Sequence, residues 1–183
     1  IFASNGSSKI LDNGTDGTNA TFTGAVTGNV TTTSITTGAE ATAGTIVGNW
    51  SLTGKFQATY ADLAEYYEGD KEYEAGTVLV FGGDKEVTIS NLYATTAVAG
   101  VVSTNPAYML NSHAGNDKTH PYIALKGRVP CKVVGSINKG DLLVTSTYPG
   151  YAGSATHPNA GTIIGKALGS QSEGFGVIEV LVV

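Results

Sequence analysis

From residue 75 onward, apolar residues gather in short runs bounded by Gly, Pro or Asn. The runs fall at residues 77–81, 86–89, 98–102, 122–125, 128–134, 141–145, 162–164 and 176–183. Runs of three to eight rich in Val and Ile, punctuated by Gly82-Gly83, Asn105-Pro106 and Pro149-Gly150, predict strands joined by tight turns. Residues 13–54 carry a thinner pattern. Short alternating pieces such as 20–24 and 29–33 sit between Thr-Gly pairs at 23–24, 27–28, 37–38 and 53–54. β-Branched residues and Gly disfavour helix there. Between these regions, Tyr60, Leu63, Ala64 and Tyr67 recur at three and four, which predicts a short helical turn within residues 56–67.

The expected architecture is therefore all-β and divided. Residues 1–56 form a shaft-like ribbon, and residues 57–183 form a small β-barrel or β-clip-like head with a helical collar. From residue 20 to 38 the larger apolar side chains are Phe22, Val26, Val30 and Ile35. So few buried side chains cannot offset the ordering of that much backbone in a lone chain. The ribbon therefore needs partner chains or stays disordered, and intertwined identical strands in a closed cyclic oligomer would supply both the pairing and the core. Ile1 in place of an initiator Met points to a fragment of a longer polypeptide.

An internal repeat runs through the head. Residues 75–80 (AGTVLV) correspond to 139–144 (KGDLLV), and 99–103 (AGVVS) to 164–168 (IGKAL). Gly76 and Gly100 are 24 positions apart, Gly140 and Gly165 are 25 apart. Two copies of a unit with glycine at the start of each strand predict a pseudo-symmetric barrel.

Charge sharpens the division. Asp62, Glu65, Glu68, Asp70, Glu72 and Glu74 against Lys71 give minus five, the net charge of the whole chain. These acids read as a solvated acidic face, because no His and no ligand-spaced acid accompanies them. No cluster of cations exists to bind nucleic acid, and no apolar run approaches the roughly 20 residues that span a bilayer. Cys131 is the single cysteine, which leaves no intrachain disulfide and no thiolate-rich metal site. Within residues 127–134 it reads as a buried strand thiol. Five Asn-x-Ser/Thr sequons, at Asn5, Asn13, Asn19, Asn29 and Asn49, follow from the Thr-rich composition.

Candidate contact residues lie in the head loops. Tyr148 and Tyr151 flank the turn of residues 146–153, and His113, His120 and Tyr122 lie in or beside the polar loop 113–122. Exposed aromatic rings bind sugars and proteins through stacking and apolar contact. They also pack cores. No nucleophile, general base or phosphate-cradling loop has a recognisable arrangement, so no catalytic residue, metal ligand or cofactor is expected.

Residues 60–67 (YADLAEYY), 75–81 (AGTVLVF), 99–106 (AGVVSTNP), 123–130 (IALKGRVP), 139–152 (KGDLLVTSTYPGYA) and 161–167 (GTIIGKA) together resemble the C-terminal domain of phage tail-fibre and appendage-like virion structural proteins, with the nearest likeness to marine T-even-type phages. More distantly they resemble the fibre autoproteolytic domain family associated with intramolecular chaperones. Asp62, Glu65, Tyr66, Gly140 and Asp141 stand in the matching motifs. The resemblance implies a homotrimeric fibre on an exposed virion appendage, contacting other virion proteins and a host-surface glycan or protein. It also raises self-cleavage of a precursor as an alternative. Residues 176–183 form a closing strand where a helical chaperone tail would stand in that second family, and no cleavage residue can be matched.

Overall fold

Strand β6 (Tyr122–Val134) organises the head, because it is long enough to serve two barrels in succession. The computed structural model describes residues 53–55 and 57–183. The ribbon expected over residues 1–56 lies outside the described residues apart from 53–55. The described part is all-β, with ten strands in one continuous sheet and no helix among the described residues. The other strands are β1 (Asp62–Tyr66), β2 (Val78–Phe81), β3 (Val87–Ile89), β4 (Val98–Val102), β5 (Tyr108–Leu110), β7 (Leu142–Thr145), β8 (Ala152–Ala155), β9 (Ile163–Ala167) and β10 (Phe175–Val182).

Pairing of β6 with β10, β10 with β9, β9 with β7, β7 with β8, and β8 back to β6 closes a five-stranded barrel. A second ring closes on the other half of β6, through β4, β2, β3 and β1. Its last join is the bridge between Gly69, just beyond β1, and Val87 of β3.

The repeat read from the sequence is this pair of barrels, residue by residue. Leu79 stands opposite Gly100 with a bulge after Leu79, and Leu143 stands opposite Gly165 with a bulge after Leu143. Gly76 N donates to Val102 O and Val102 N to Thr77 O, at 2.8 and 2.9 Å. Gly140 N to Ala167 O and Ala167 N to Asp141 O repeat these bonds at 2.8 and 2.9 Å. Even the closures match, since the parallel pair Gly69 and Val87 corresponds to the parallel pair Val133 and Ala152. By the same mapping the first half of β6 corresponds to β10, and its second half to β1.

Each barrel is filled by the inward residues of its strands. Leu79, Val87, Val102 and Ile123 fill the first with Tyr73. Their counterparts Leu143, Ala152, Ala167 and Val180 fill the second with Val129, Cys131 and Val133. The outward residues Val78, Val101 and Ala124 of the first barrel are also buried, in the same cluster as the second barrel's core. Their counterparts Leu142, Lys166 and Leu181 are half-buried or exposed. One face of the first barrel is thus an internal interface, while the equivalent face of the second meets solvent.

Two expectations are corrected. The helical collar is strand β1, paired antiparallel with β6 and parallel with β5. An isolated helical turn of this length is marginal in water, and two flanking strands satisfy its backbone instead. The face of Asp62, Glu65 and Glu68 is not uniformly solvated either. In a strand, Asp62 shares the inward face with Ala64 and Tyr66 and is only 5% exposed.

Candidate functional site

The turn after β7 is built for rigidity. Tyr148-Pro149-Gly150-Tyr151 closes with Tyr151 N donating to Tyr148 O at 3.1 Å. Pro149 and then Gly150 at φ 78° suit the second and third positions of a type II turn. The Ser146 hydroxyl accepts from Tyr148 N at 3.1 Å, bracing the approach. The turn is also fastened to the first barrel, since Gly150 O accepts from Val78 N at 2.9 Å and Gly150 N donates to Ser90 O at 3.3 Å. A Cβ on Gly150 would lie 2.9 Å from Thr77 Cγ2 and 3.0 Å from Ile89 Cδ1, so the close seating needs glycine.

This turn presents Tyr148, which is 51% exposed, and Tyr151, which is half-buried. Phe175, 59% exposed at the start of β10, completes the cluster. Its ring meets Tyr148 edge-on at 5.1 Å and Tyr151 at 5.0 Å. The sequence reading found the two tyrosines and missed Phe175, which only tertiary folding brings to them. Val177 continues the exposed apolar strip along β10.

Tyr151 also borders a cleft of about 320 Å³, with Tyr73, Ile89 and Pro149 as apolar walls and Lys132 and Glu74 as polar ones. Lys132 Nζ donates to Glu74 Oε2 at 2.8 Å and to Thr77 Oγ1 at 3.1 Å. The ammonium holds the Glu74 carboxyl below its ordinary value. Lys71 lies 5.4 Å from the centre of the Tyr73 ring. Aromatic walls with a fixed cation and anion offer stacking and hydrogen bonding to a polar, ring-bearing ligand.

The second predicted group divides. His120 and Tyr122 come together with Tyr66, whose ring stacks on Tyr122 at 3.7 Å and meets His120 edge-on at 6.1 Å. Tyr66 donates its hydroxyl hydrogen to Asp117, and Asn111 Nδ2 donates to Tyr66 O at 3.2 Å. Burial and then Asp117 push the Tyr66 hydroxyl well above the usual phenol range. A Cβ on Gly115 would lie 2.0 Å from His120 Nδ1, so the loop packs over the imidazole. These residues clamp the 111–121 loop onto β1 and β6. His113 is exposed and outside the clamp.

The remaining motif residues have local partners. Glu65 Oε2 accepts from the Tyr67 hydroxyl at 2.9 Å, and burial followed by Glu65 pushes Tyr67 up to about 12. Asp141 Oδ2 accepts from Asn138 N at 2.9 Å and from Ser154 Oγ at 3.0 Å, fixing the turn before β7. Gly140 belongs to the same turn. Asp62 differs, because its Oδ2 and the Ser103 Oγ are both buried without a hydrogen bond of normal geometry. Burial raises the Asp62 carboxyl, and the nearby Ser103 hydroxyl offsets part of the effect. Among the described residues, no group of three or more His, Cys, Asp or Glu is placed to hold a metal ion.

No family model matches the chain, and no curated protein matches it. Among solved structures it is similar to the N base of the head fibre gp8.5 in bacteriophage phi29, at 16% identity, over 66% of this chain and 93% of that one, with a TM-score of 0.40.

Proposed function

We propose that this chain is a structural fibre or appendage protein of a phage virion, homotrimeric, with a β head that meets the host surface through the Tyr148, Tyr151 and Phe175 cluster. The observation that carries the reading is the junction of a Thr/Gly ribbon, too poor in apolar side chains to fold alone, with a twin-barrel head that fixes exposed aromatic rings on a braced turn. Rigid aromatic anchors lose little conformational entropy on binding and so make effective contacts. Other virion proteins would hold the opposite end of the fibre, and a glycan or protein of the host would meet the head. No cofactor enters this role.

The first test is the solution mass of the full chain by light scattering after size exclusion. Three times 18.7 kDa supports the fibre. A monomer removes the trimer and leaves a single-chain binding module. The self-cleaving alternative draws support from the buried Asp62 Oδ2, which has no hydrogen-bond partner of normal geometry, beside Ser103. A longer precursor that stays uncut while it folds and assembles would remove that alternative.

A further inference from the structure

The two barrels are near copies, so a feature present in one and missing from the other marks something beyond the shared fold. The turns that lead into β2 and β7 match bond for bond, since Thr77 N donates to Glu74 O at 3.2 Å and Asp141 N to Asn138 O at 3.0 Å. Glu74 therefore corresponds to Asn138, and Thr77 to Asp141. Ile89, opposite Leu79, corresponds to Ser154, opposite Leu143. In the second barrel these groups satisfy one another, because Asp141 Oδ2 accepts from both Asn138 N and Ser154 Oγ. In the first barrel Glu74, Thr77 and Ile89 instead line the cleft of about 320 Å³. That volume stands at the lower end of ligand pockets, about 300–1,000 Å³, and suits a single sugar-sized ring.

The cleft is amphipathic and braced before anything binds. Tyr73, Ile89, Pro149 and Tyr151 supply its apolar surface. Tyr73 donates its hydroxyl hydrogen to Asp70, and Gly150, between Pro149 and Tyr151, is fastened to Val78 and Ser90. Lys132 is anchored at both ends: its backbone N donates to Gly76 O at 2.8 Å, and its Nζ donates to Glu74 and Thr77. An ammonium carries three N–H donors, so one is left for a ligand. Glu74 accepts through Oε2, and its side chain is 87% exposed, which leaves Oε1 for a donor.

Charge decides among ligands. Lys71 and Lys132 are balanced by Glu72 and Glu74 around the same cleft, so a carboxylate, sulfate or phosphate gains no net attraction there. A neutral pyranose fits better. Its C–H face can lie on an aromatic ring, and neighbouring hydroxyls, each both donor and acceptor, can meet a carboxylate and an ammonium that stand one hydrogen bond apart.

We infer that this cleft binds a neutral hexopyranose, with Glu74 accepting from one hydroxyl, Lys132 donating to the next, and Tyr151 packing on the ring. The inference rests on the host-contact reading above and names the class of ligand that the head meets. Tyr151 also touches Phe175 edge-on at 5.0 Å, so the exposed rings of Phe175 and Tyr148 stand beside the cleft for the next sugar of a glycan.

The test titrates the full chain with the methyl glycosides of glucose, galactose, mannose and N-acetylglucosamine, read by saturation-transfer NMR, with methyl glucuronide as the anionic probe. At least one neutral glycoside should bind, and more tightly than the glucuronide. Glu74→Ala, at an exposed side chain, should keep the wild-type melting temperature and weaken that binding about tenfold, the scale of one hydrogen bond to a charged group. Binding of none of the four, binding untouched by Glu74→Ala, or tighter binding of the glucuronide would each overturn the inference. Adhesion to host cells, measured in parallel, keeps the two readings apart. Adhesion that persists in any of those cases leaves the host-contact reading standing, and its absence in the wild-type chain removes that reading too.

Discussion

Gly165 lies where β9 meets β10, and replacing it with alanine tests the twin-barrel geometry most directly. The added Cβ would sit 2.1 Å from the Leu181 carbonyl oxygen, 2.8 Å from its carbon and 3.0 Å from Val182 Cα, all backbone atoms. β10 cannot simply retreat, because eight of its residues are paired with β6. Either three residue pairs with β9 open, at about 1 kcal/mol per hydrogen bond, or the strands stay packed with an overpacking cost of about 1–3 kcal/mol. The two routes give a loss of about 1–3 kcal/mol. At roughly 4 °C per kcal/mol for a body of this size, the melting temperature should fall by about 4–12 °C.

Circular dichroism melts at fixed protein concentration would read the change, with Gly153→Ala as the control. A Cβ at Gly153 meets nothing nearer than 3.7 Å, so that variant should stay within about 0.5 kcal/mol of wild type. Gly100→Ala, the counterpart in the first barrel, should resemble Gly165→Ala, because its Cβ would lie 2.6 Å from the Ala124 carbonyl oxygen. A Gly165→Ala protein that melts within about 2 °C of wild type, against the calculated fall, would refute the close strand approach and the duplication drawn from it.

Asp62 gives a prediction with a definite sign. Burial raises its folded-state value, so its contribution to stability is greatest below the unfolded value and is lost as pH rises through the folded one. Asp62→Asn should therefore gain stability over wild type at pH 7.5 and lose that advantage below about pH 4; urea titrations showing a pH-independent difference would contradict the reasoning. Native protein at pH 8 should give no reaction between Cys131 and an aromatic disulfide reagent, and urea should release one thiol per chain, because burial holds that thiol at about 12. Tyr148→Ala and Phe175→Ala should each cost about 1 kcal/mol of stability or less and weaken binding to host cells about 30-fold if the rings are central contacts. Unchanged cell binding by the double variant Tyr148→Ala/Tyr151→Ala would remove the host-contact role.

The strong strands were legible where apolar residues alternate or run together, as in β2, β4, β7 and β10. The repeat was legible because each glycine marks a position with a fixed structural demand. β1 was not, because DLAEY fits a period near 3.6 as well as 2, and the strand buries a carboxylate while half-exposing Leu63. β8 reads AGSA and β5 reads YML. Neither alternates, and both are strands only because neighbours pair with them. β6 read as two strands interrupted at Gly127. The chain continues there because glycine lets it pass the Ala61 carbonyl oxygen, 2.3 Å from where a Cβ would be. At the candidate site, Tyr148 and Tyr151 announced themselves as loop aromatics, while Phe175 stood just outside the run of residues 176–183 and carried no signal of its own.

Gly127 has a further consequence for how the head carries load. β1 begins opposite it, at Asp62, and β10 ends opposite it, at Val182. With β1 on one flank of β6 and β10 on the other, the two ends of the head lie two strand spacings apart, roughly 10 Å. A force applied between Asp62 and Val182 would act across that short gap, through the pairs that β1 and β10 make with β6. The Tyr148–Tyr151 turn and its bracing lie off that path and would carry none of it.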